Sequence, residues 1–113
     1  MSKFEITERK EDGVVVLDLS GDLVFGDAPA KLRTRVRDCL RDGTTNITLD
    51  FANTGHLDSS GIGEMISALT AVNREGGRLQ LMNLSERIHW LLKISKLTEI
   101  FEILSEDEQQ NAR

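Results

Sequence analysis

The chain of 113 residues carries a formal net charge of −5, with 39% hydrophobic and 29% charged residues, which is typical of one globular domain spanning residues 1–113. The acidic balance argues against nucleic-acid binding, which needs a basic face, and no apolar run reaches the roughly 20 residues of a membrane span. Cys39 is the single cysteine and the first residues lack the apolar core of a signal peptide, so we expect a cytoplasmic protein without a disulfide.

The N-terminal part of the chain predicts a hairpin. Alternating apolar residues indicate a strand over residues 3–9, and residues 10–13 form a charged turn that ends in a glycine. The segment 14–19 is apolar on both faces, which predicts an inner strand that is closed by Ser20-Gly21-Asp22.

The first predicted helix has Asp27 as its N-cap and Pro29 in its first turn, and it ends at Asp42-Gly43. Its expected buried stripe has apolar residues at helical spacing and consists of Ala28, Leu32, Val36, Cys39 and Leu40. A row of basic residues four apart is expected on its solvated side, namely Arg33, Arg37 and Arg41.

The second half of the chain predicts strands over residues 46–51 and 78–83. A helix between them ends at Gly76-Gly77, and its expected stripe consists of Ile62, Met65, Ile66, Leu69 and Val72. Ser85 then predicts the N-cap of a further helix. An apolar cluster that includes Ile100 follows, with a short strand or loop, and residues 105–108 indicate the start of a short acidic helix.

This order of elements, β-β-α-β-α-β-α-(β)-α, predicts the α/β class: a single domain with a mixed sheet of four to five strands and about four helices. Ligand sites in such sheets lie beyond the carboxyl ends of the strands. The turn of residues 57–63 and the turn at Ser20-Gly21-Asp22 both follow strands, so we expect them on one surface.

The turn Leu57-Asp58-Ser59-Ser60-Gly61-Ile62-Gly63 has two interpretations. In the first, Asp58, Ser59 or Ser60 only caps the following helix, since these side chains accept hydrogen bonds from N-terminal amides. In the second, the turn has a function, because two glycines in the first helical turn cost stability and suggest a backbone that can be approached closely from outside. A phosphate also suits a helix N-terminus.

Catalysis is not supported by the sequence. His56, Asp58 and Ser59 are triad types, but they lie too close in the chain for one imidazole to bridge an acid and a nucleophile, and no nucleophile elbow surrounds either serine. No nucleotide motif and no metal-ligand spacing is present, so we predict no catalytic residue, metal or cofactor. His56 is expected in a solvent-facing loop. His89 and Trp90 are expected as a partly covered surface pair or, alternatively, as part of a partner-binding face.

The segment Asp58-Ser59-Ser60-Gly61-Ile62-Gly63 resembles the Asp-Ser-[Ser/Thr]-Gly-[Leu/Ile]-Gly signature of STAS domains, and in particular of the stand-alone anti-sigma factor antagonists of bacteria. Three further segments are similar to the family in order and spacing, and the resemblance covers nearly the whole chain: Leu19-Ser20-Gly21-Asp22-Leu23, Gly76-Gly77-Arg78-Leu79 and Leu97-Thr98-Glu99-Ile100-Phe101.

The resemblance implies a STAS-like fold and a regulatory cycle. The dephosphorylated antagonist would bind an anti-sigma factor, which is also a serine kinase, and so free a sigma factor for transcription. Phosphorylation would end the complex, and a protein phosphatase would reset it. The acceptor maps onto Ser59, with Ser60 as its alternative. The partner-binding residues implied by the motif are Asp22, Asp58, Ser59, Ser60, Gly61, Ile62 and Gly63.

One position departs from the family pattern: Val24 stands where a second acid commonly follows Gly-[Glu/Asp]-[Leu/Ile]. This favours an alternative in which the chain is a STAS-type scaffold or regulatory subunit of a lipid-transport or stress-signalling complex, without phosphorylation. In either case we expect a non-enzymatic protein that acts as a monomer or weak dimer and contacts neither nucleic acid nor membrane.

Overall fold

The computed structural model describes residues 3–105. Residues 3–105 form five strands, three helices and one short 3-10 helix, in the order β1 Glu5–Glu11, β2 Val14–Leu23, α1 Ala28–Arg41, β3 Asn46–Leu57, α2 Ser59–Arg74, β4 Arg78–Met82, α3 Glu86–Ile94, the 3-10 turn Leu97–Glu99 and β5 Glu102–Ile103.

A single mixed sheet has its strands in chain order, β1-β2-β3-β4-β5, with β1 antiparallel to β2 and all later pairs parallel. The antiparallel pair is the predicted hairpin, and each parallel pair is joined through a helix or helical turns, as a crossover requires. The predicted α/β class and mixed sheet are confirmed. The described part has three α-helices rather than four, and of the acidic helix expected at residues 105–108 only Ser105, outside any helix, lies in the described part.

The strands differ in length from the predicted ones. The first strand starts and ends two residues later than expected, and only Asp12 and Gly13, both with positive φ, form the turn. Strand β2 was expected to close at Ser20-Gly21-Asp22, but it continues through this segment to Leu23. Strand β3 likewise extends beyond residue 51 to Leu57. These polar extensions are strands because their backbones pair with each other, which no side-chain alternation reveals.

The core lies between one face of the sheet and the helices. Alternate residues of the inner strands, such as Leu17 and Leu49, pack with Leu32 of α1, Met65 of α2 and Leu92 of α3, and all five are buried. Burying such a side chain stabilises the fold by about 1.5–3 kcal/mol relative to exposure, so this layer holds the helices on the sheet.

Two predictions of buried apolar residues need correction. In α2, Ile66 is exposed by 36%, whereas Glu64 is only 6% exposed, because the buried face lies over Gly61, Met65 and Ala68. Ile100, expected in the C-terminal apolar cluster, is 50% exposed. The stripe of α1 is confirmed, with Leu40 partly buried against the core. Asp27 occupies the N-cap position of α1, but its side chain makes no capping hydrogen bond.

The opposite face of the sheet carries a network of charged side chains that the sequence pattern does not predict. Arg9 Nε donates to Asp18 Oδ2 (2.9 Å), and Arg9 Nη2 donates to Asp50 Oδ2 (3.0 Å). Asn83 Nδ2 donates to Asp50 Oδ1, the other carboxylate oxygen (3.0 Å). Asp50 is only 6% exposed. The buried carboxylate is thus compensated on both oxygens, as burial of a charge demands.

Candidate functional site

The two predicted turns lie side by side at one end of the sheet. Leu23 of β2 pairs with Leu57 of β3, so Asp22 and Asp58 occupy neighbouring chain ends. Both strands are parallel, and their carboxyl ends therefore reach the same edge, as expected from the sequence.

Asp58 is the N-cap of α2. Its Oδ1 accepts from the amides of Ser60 (2.9 Å) and Gly61 (3.1 Å), and its Oδ2 accepts from the amide of Phe25 in the β2–α1 loop (2.9 Å). These donors, led by the Phe25 amide, hold the pKa of the Asp58 carboxyl below its ordinary value because they stabilise the charged form. One ionised carboxylate therefore caps α2 and also ties a separate loop to it.

The two serines occupy the first helical positions of α2 and differ in exposure. Ser59 is exposed, whereas Ser60 is half-buried and its amide is held by Asp58. The N2 and N3 amides, which would otherwise bind an anion at this helix end, already have an acceptor. A hydroxyl on Ser59 is accessible to a reagent from solution, and a charged group added there would stand next to Asp58.

The two glycines of the motif have different structural roles. A Cβ added at Gly63 meets no atom within 4 Å, so its backbone is open on the outside, as expected. A Cβ at Gly61 would lie 2.1 Å from the carbonyl oxygen of Leu23 and 2.7 Å from Leu57 Cδ1. The expectation that both glycines expose the backbone outward is therefore wrong for Gly61, which lets α2 pack against β2. Ile62, between them, is partly buried against the core.

Asp22 contacts the end of β3. Its Oδ1 accepts from the amide of His56 (3.0 Å) and lies 3.2 Å from His56 Nδ1. The side chain of His56 is 63% exposed, as expected, but the residue belongs to a strand rather than to a loop. Gly55 leaves room for this contact, since a Cβ there would lie 2.9 Å from Asp22 Oδ1.

His56, Asp58 and Ser59 do not form a catalytic triad in the described part of the chain. The ring of His56 faces Asp22, and no hydrogen bond between His56 and Ser59 exists among residues 3–105. Cys39 is buried in the core, and its burial raises the pKa of the thiol, which disfavours the reactive thiolate. Residues 3–105 contain no group of three or more acidic, histidine or cysteine side chains that could hold a metal ion.

Two functional candidates emerge only from the structure. Phe25 is 84% exposed beside Asp58, and the only sequence signal was a lone aromatic residue in a polar loop. Glu64 and Arg33 form an ion pair between α2 and α1, with Arg33 Nη2 2.8 Å from Glu64 Oε1. Arg33 is therefore not only part of a solvated row, although its side chain is 47% exposed.

Exposed aromatic and apolar groups also lie on α3. His89 and Trp90 are both exposed, with Trp90 at 58% and Ile94, one turn later, at 56%. The pair is thus more open than the partly covered surface that was expected. No helix among residues 3–105 combines the length and the apolar character that crossing a bilayer would need.

The family model for the STAS domain matches residues 5–110 of the chain. The anti-sigma-B factor antagonist of Bacillus subtilis (strain 168) is 26% identical over 100 residues, which cover 88% of this chain and 90% of that protein.

Two solved structures show the same fold. An anti-sigma factor antagonist from Mycobacterium paratuberculosis has a TM-score of 0.80 at 18% identity, covering 98% of this chain and 95% of that one. The phosphorylated form of the Bacillus cell fate determinant SpoIIAA has a TM-score of 0.69 at 24% identity, covering 96% and 97% of the two chains.

Proposed function

The chain belongs to the STAS-domain family, and on this premise we propose that it is an anti-sigma factor antagonist that is switched off by phosphorylation of Ser59. The dephosphorylated protein binds an anti-sigma factor that is also a serine kinase, and thereby regulates sigma-factor-dependent transcription. The relative from Bacillus subtilis, named as an anti-sigma-B factor antagonist, supports this assignment over nearly the full length of both chains.

The observation that carries the proposal is the position of Ser59, which is exposed and directly follows the ionised N-cap Asp58. In the phosphorylation step the γ-phosphoryl group of ATP passes to Ser59 Oγ, ADP leaves and the hydroxyl proton is released. The product carries a charge of about −1.5 to −2. Because Asp58 already accepts from the N2 and N3 amides, the phosphate must compete with Asp58 for these two donors.

The size of the electrostatic effect is sufficient for a switch. Two like unit charges about 6 Å apart repel by roughly 3 kcal/mol at an effective dielectric of about 20, before screening by salt. Since about 1.4 kcal/mol is tenfold in affinity, one phosphate held that close to a carboxylate of the partner weakens binding by about 100-fold. No refolding of the domain is needed.

The remaining partner-binding residues of the proposal are those of the motif and of the neighbouring strand end, namely Asp22, Ser60, Gly61, Ile62 and Gly63. The proposal also includes a protein phosphatase that resets Ser59, action in the cytoplasm, and a chain that works as a monomer or weak dimer. Light scattering at increasing concentration tests the last point.

The second candidate is a STAS-type scaffold or regulatory subunit in a lipid-transport or stress-signalling complex that is never phosphorylated. Val24 favours it, because an apolar residue stands where the family commonly has a second acid. Val24 is half-buried and directly precedes the exposed Phe25, so it adds no charge to the loop next to Asp58.

The test uses the purified chain, ATP and each anti-sigma kinase of its own host, with intact mass and peptide mapping. A single phosphate on Ser59 that is absent in Ser59→Ala and retained in Ser60→Ala supports the switch and names the partner kinase. Phosphate that is lost only in Ser60→Ala keeps the switch but moves the acceptor by one residue. No phosphate with any kinase, on folded protein, favours the scaffold.

A further inference from the structure

Phe25 is more exposed than any other large apolar residue among residues 3–105. A phenylalanine that is 84% exposed gains little from the core, whereas buried aromatic anchors dominate the affinity of many protein interfaces. Its exposure therefore calls for a role outside the folding of the domain.

The backbone of Phe25 is held in place although its ring is free. Its amide donates to Asp58 Oδ2 (2.9 Å), and the following Gly26 has a φ of 132°, a conformation that turns the chain where other residues would be strained. The other oxygen of Asp58 holds the Ser60 and Gly61 amides. One carboxylate thus links the Phe25 loop to the turn that carries Ser59.

Resting on the proposed function, we propose that Phe25 is the apolar anchor of the anti-sigma factor interface and that Asp58 is the residue that positions it. The surface around Phe25 is continuous with Ser59 through the Asp58 hydrogen bonds. It carries three carboxylates, Asp22, Asp27 and Asp58, of which Asp27 also lies 3.7 Å from Lys31 Nζ. An apolar pocket bordered by basic side chains is the partner site that complements it.

This arrangement couples Ser59 to the anchor within the antagonist itself. A phosphate on Ser59 repels the adjacent carboxylate of Asp58 and competes with it for the N-terminal amides of α2. When Asp58 is displaced, the Phe25 amide loses its acceptor and the ring is no longer presented in one position. Phosphorylation then weakens binding by disordering the anchor, even where the partner pocket is bordered by basic groups.

Isothermal titration calorimetry with the anti-sigma kinase identified by phosphate transfer tests the anchor. We expect Phe25→Ala to weaken binding by about 30-fold, the effect of a strong interface residue. Trp90→Ala is the matched control, because it removes another exposed aromatic ring on α3, and we expect a change below about twofold. Unchanged binding of Phe25→Ala overturns the inference, and a loss with Trp90→Ala alone assigns the anchor to α3.

A double-mutant cycle tests whether Asp58 acts through Phe25. Asp58→Asn retains one oxygen to cap α2 and places a donor NH₂ against the Phe25 amide, so the loop contact is lost while the cap remains. Asp58→Ser, with a single capping oxygen, is the second variant. We expect each to weaken binding about tenfold alone and to add nothing to Phe25→Ala. Effects that multiply show that Asp58 acts independently and refute the positioning role.

The coupling is also measured without any partner, by the amide chemical shifts of the free protein with phosphoserine incorporated at position 59 during synthesis. We expect the Phe25 amide proton to move upfield as its carboxylate acceptor is lost, and we expect the same shift in Asp58→Asn, while the His56 amide bound to Asp22 stays in place. An unshifted Phe25 amide contradicts the coupling. If no anti-sigma factor binds the wild type, the proposed function fails while this experiment still decides the coupling.

Discussion

Alanine at Gly61 places a methyl carbon 2.1 Å from the carbonyl oxygen of Leu23, whereas alanine at Gly63 meets no atom within 4 Å. The two positions lie in the same helical turn of the same motif. They therefore form a matched pair in which the gain of helix propensity is similar and only the packing differs.

The cost at Gly61 follows from this contact. Ordinary contact begins at about 3.4 Å, and the obstacle is backbone oxygen, which cannot rotate away as a flexible side chain does. The first turn of α2 must therefore move away from β2. Forced overpacking of this kind typically costs about 1–3 kcal/mol, and the propensity gain of up to about 1 kcal/mol offsets only part of it. We expect Gly61→Ala to destabilise the protein and Gly63→Ala to stabilise it by up to about 1 kcal/mol.

Urea unfolding followed by circular dichroism measures both variants against the wild type. A difference of 1 kcal/mol corresponds to a change in melting temperature of about 4 °C for a domain of this size, so thermal melts provide a second readout. If Gly61→Ala is as stable as the wild type, or if both variants lose stability equally, the close approach of α2 to β2 does not limit this position and the reasoning is refuted.

Two further predictions concern charge. Arg33→Ala removes the ion-pair partner of the buried Glu64, so we expect the free energy of unfolding in urea to fall by about 2 kcal/mol. Glu64→Met removes the buried charge and keeps the side-chain volume, so we expect it to stay within about 1 kcal/mol of the wild type. Arg37→Ala, one turn later and without an acidic partner among residues 3–105, is the control, and an equal effect of both arginine variants contradicts the prediction. The pKa of Asp58 is lower in the folded protein than in the unfolded chain, where it is about 3.9. The ionised carboxylate therefore contributes fully to the stability of the fold above about pH 3.9, and this contribution is lost as the pH falls through the lower pKa of the folded state. The stability difference between wild type and Asp58→Asn is therefore expected to shrink below about pH 4 in thermal melts, and a difference independent of pH argues against an ionised cap.

Much of the fold was predictable because local pattern and packing agree. Three features follow from local sequence patterns that the structure retains. They are the strand β2 with apolar residues on both faces, the apolar stripe of α1, and the order of strand, turn and helix around Asp58. The strand extensions were not predictable. In β3 the residues from Ala52 to His56 are mostly polar and exposed, and they are extended because β2 lies beside them.

The same limit applies to the candidate site. The sequence predicted Asp58 as one of three possible caps, and an N-cap is a local feature that spacing reveals. Its contact with Phe25 joins residues 33 positions apart, and no periodicity encodes that distance. The burial of Glu64 was not predicted for a related reason. The buried face of α2 is rotated by one residue, which exposes Ile66 and buries the carboxylate of Glu64. Arg33 from α1 compensates this buried charge, and the sequence pattern of α2 does not contain that contact.

The two edges of the sheet bear on how copies of the chain meet at high concentration. Among residues 3–105 the sheet has two edge strands: β1 is seven residues long and five of these are charged, while β5 has only two residues. Charged or very short edge strands are poor templates for the addition of a further strand from another molecule. We therefore expect the protein to resist fibril growth and domain-swapped sheets when it is concentrated, which leaves the surface around Asp58 free for a reversible contact with a different protein.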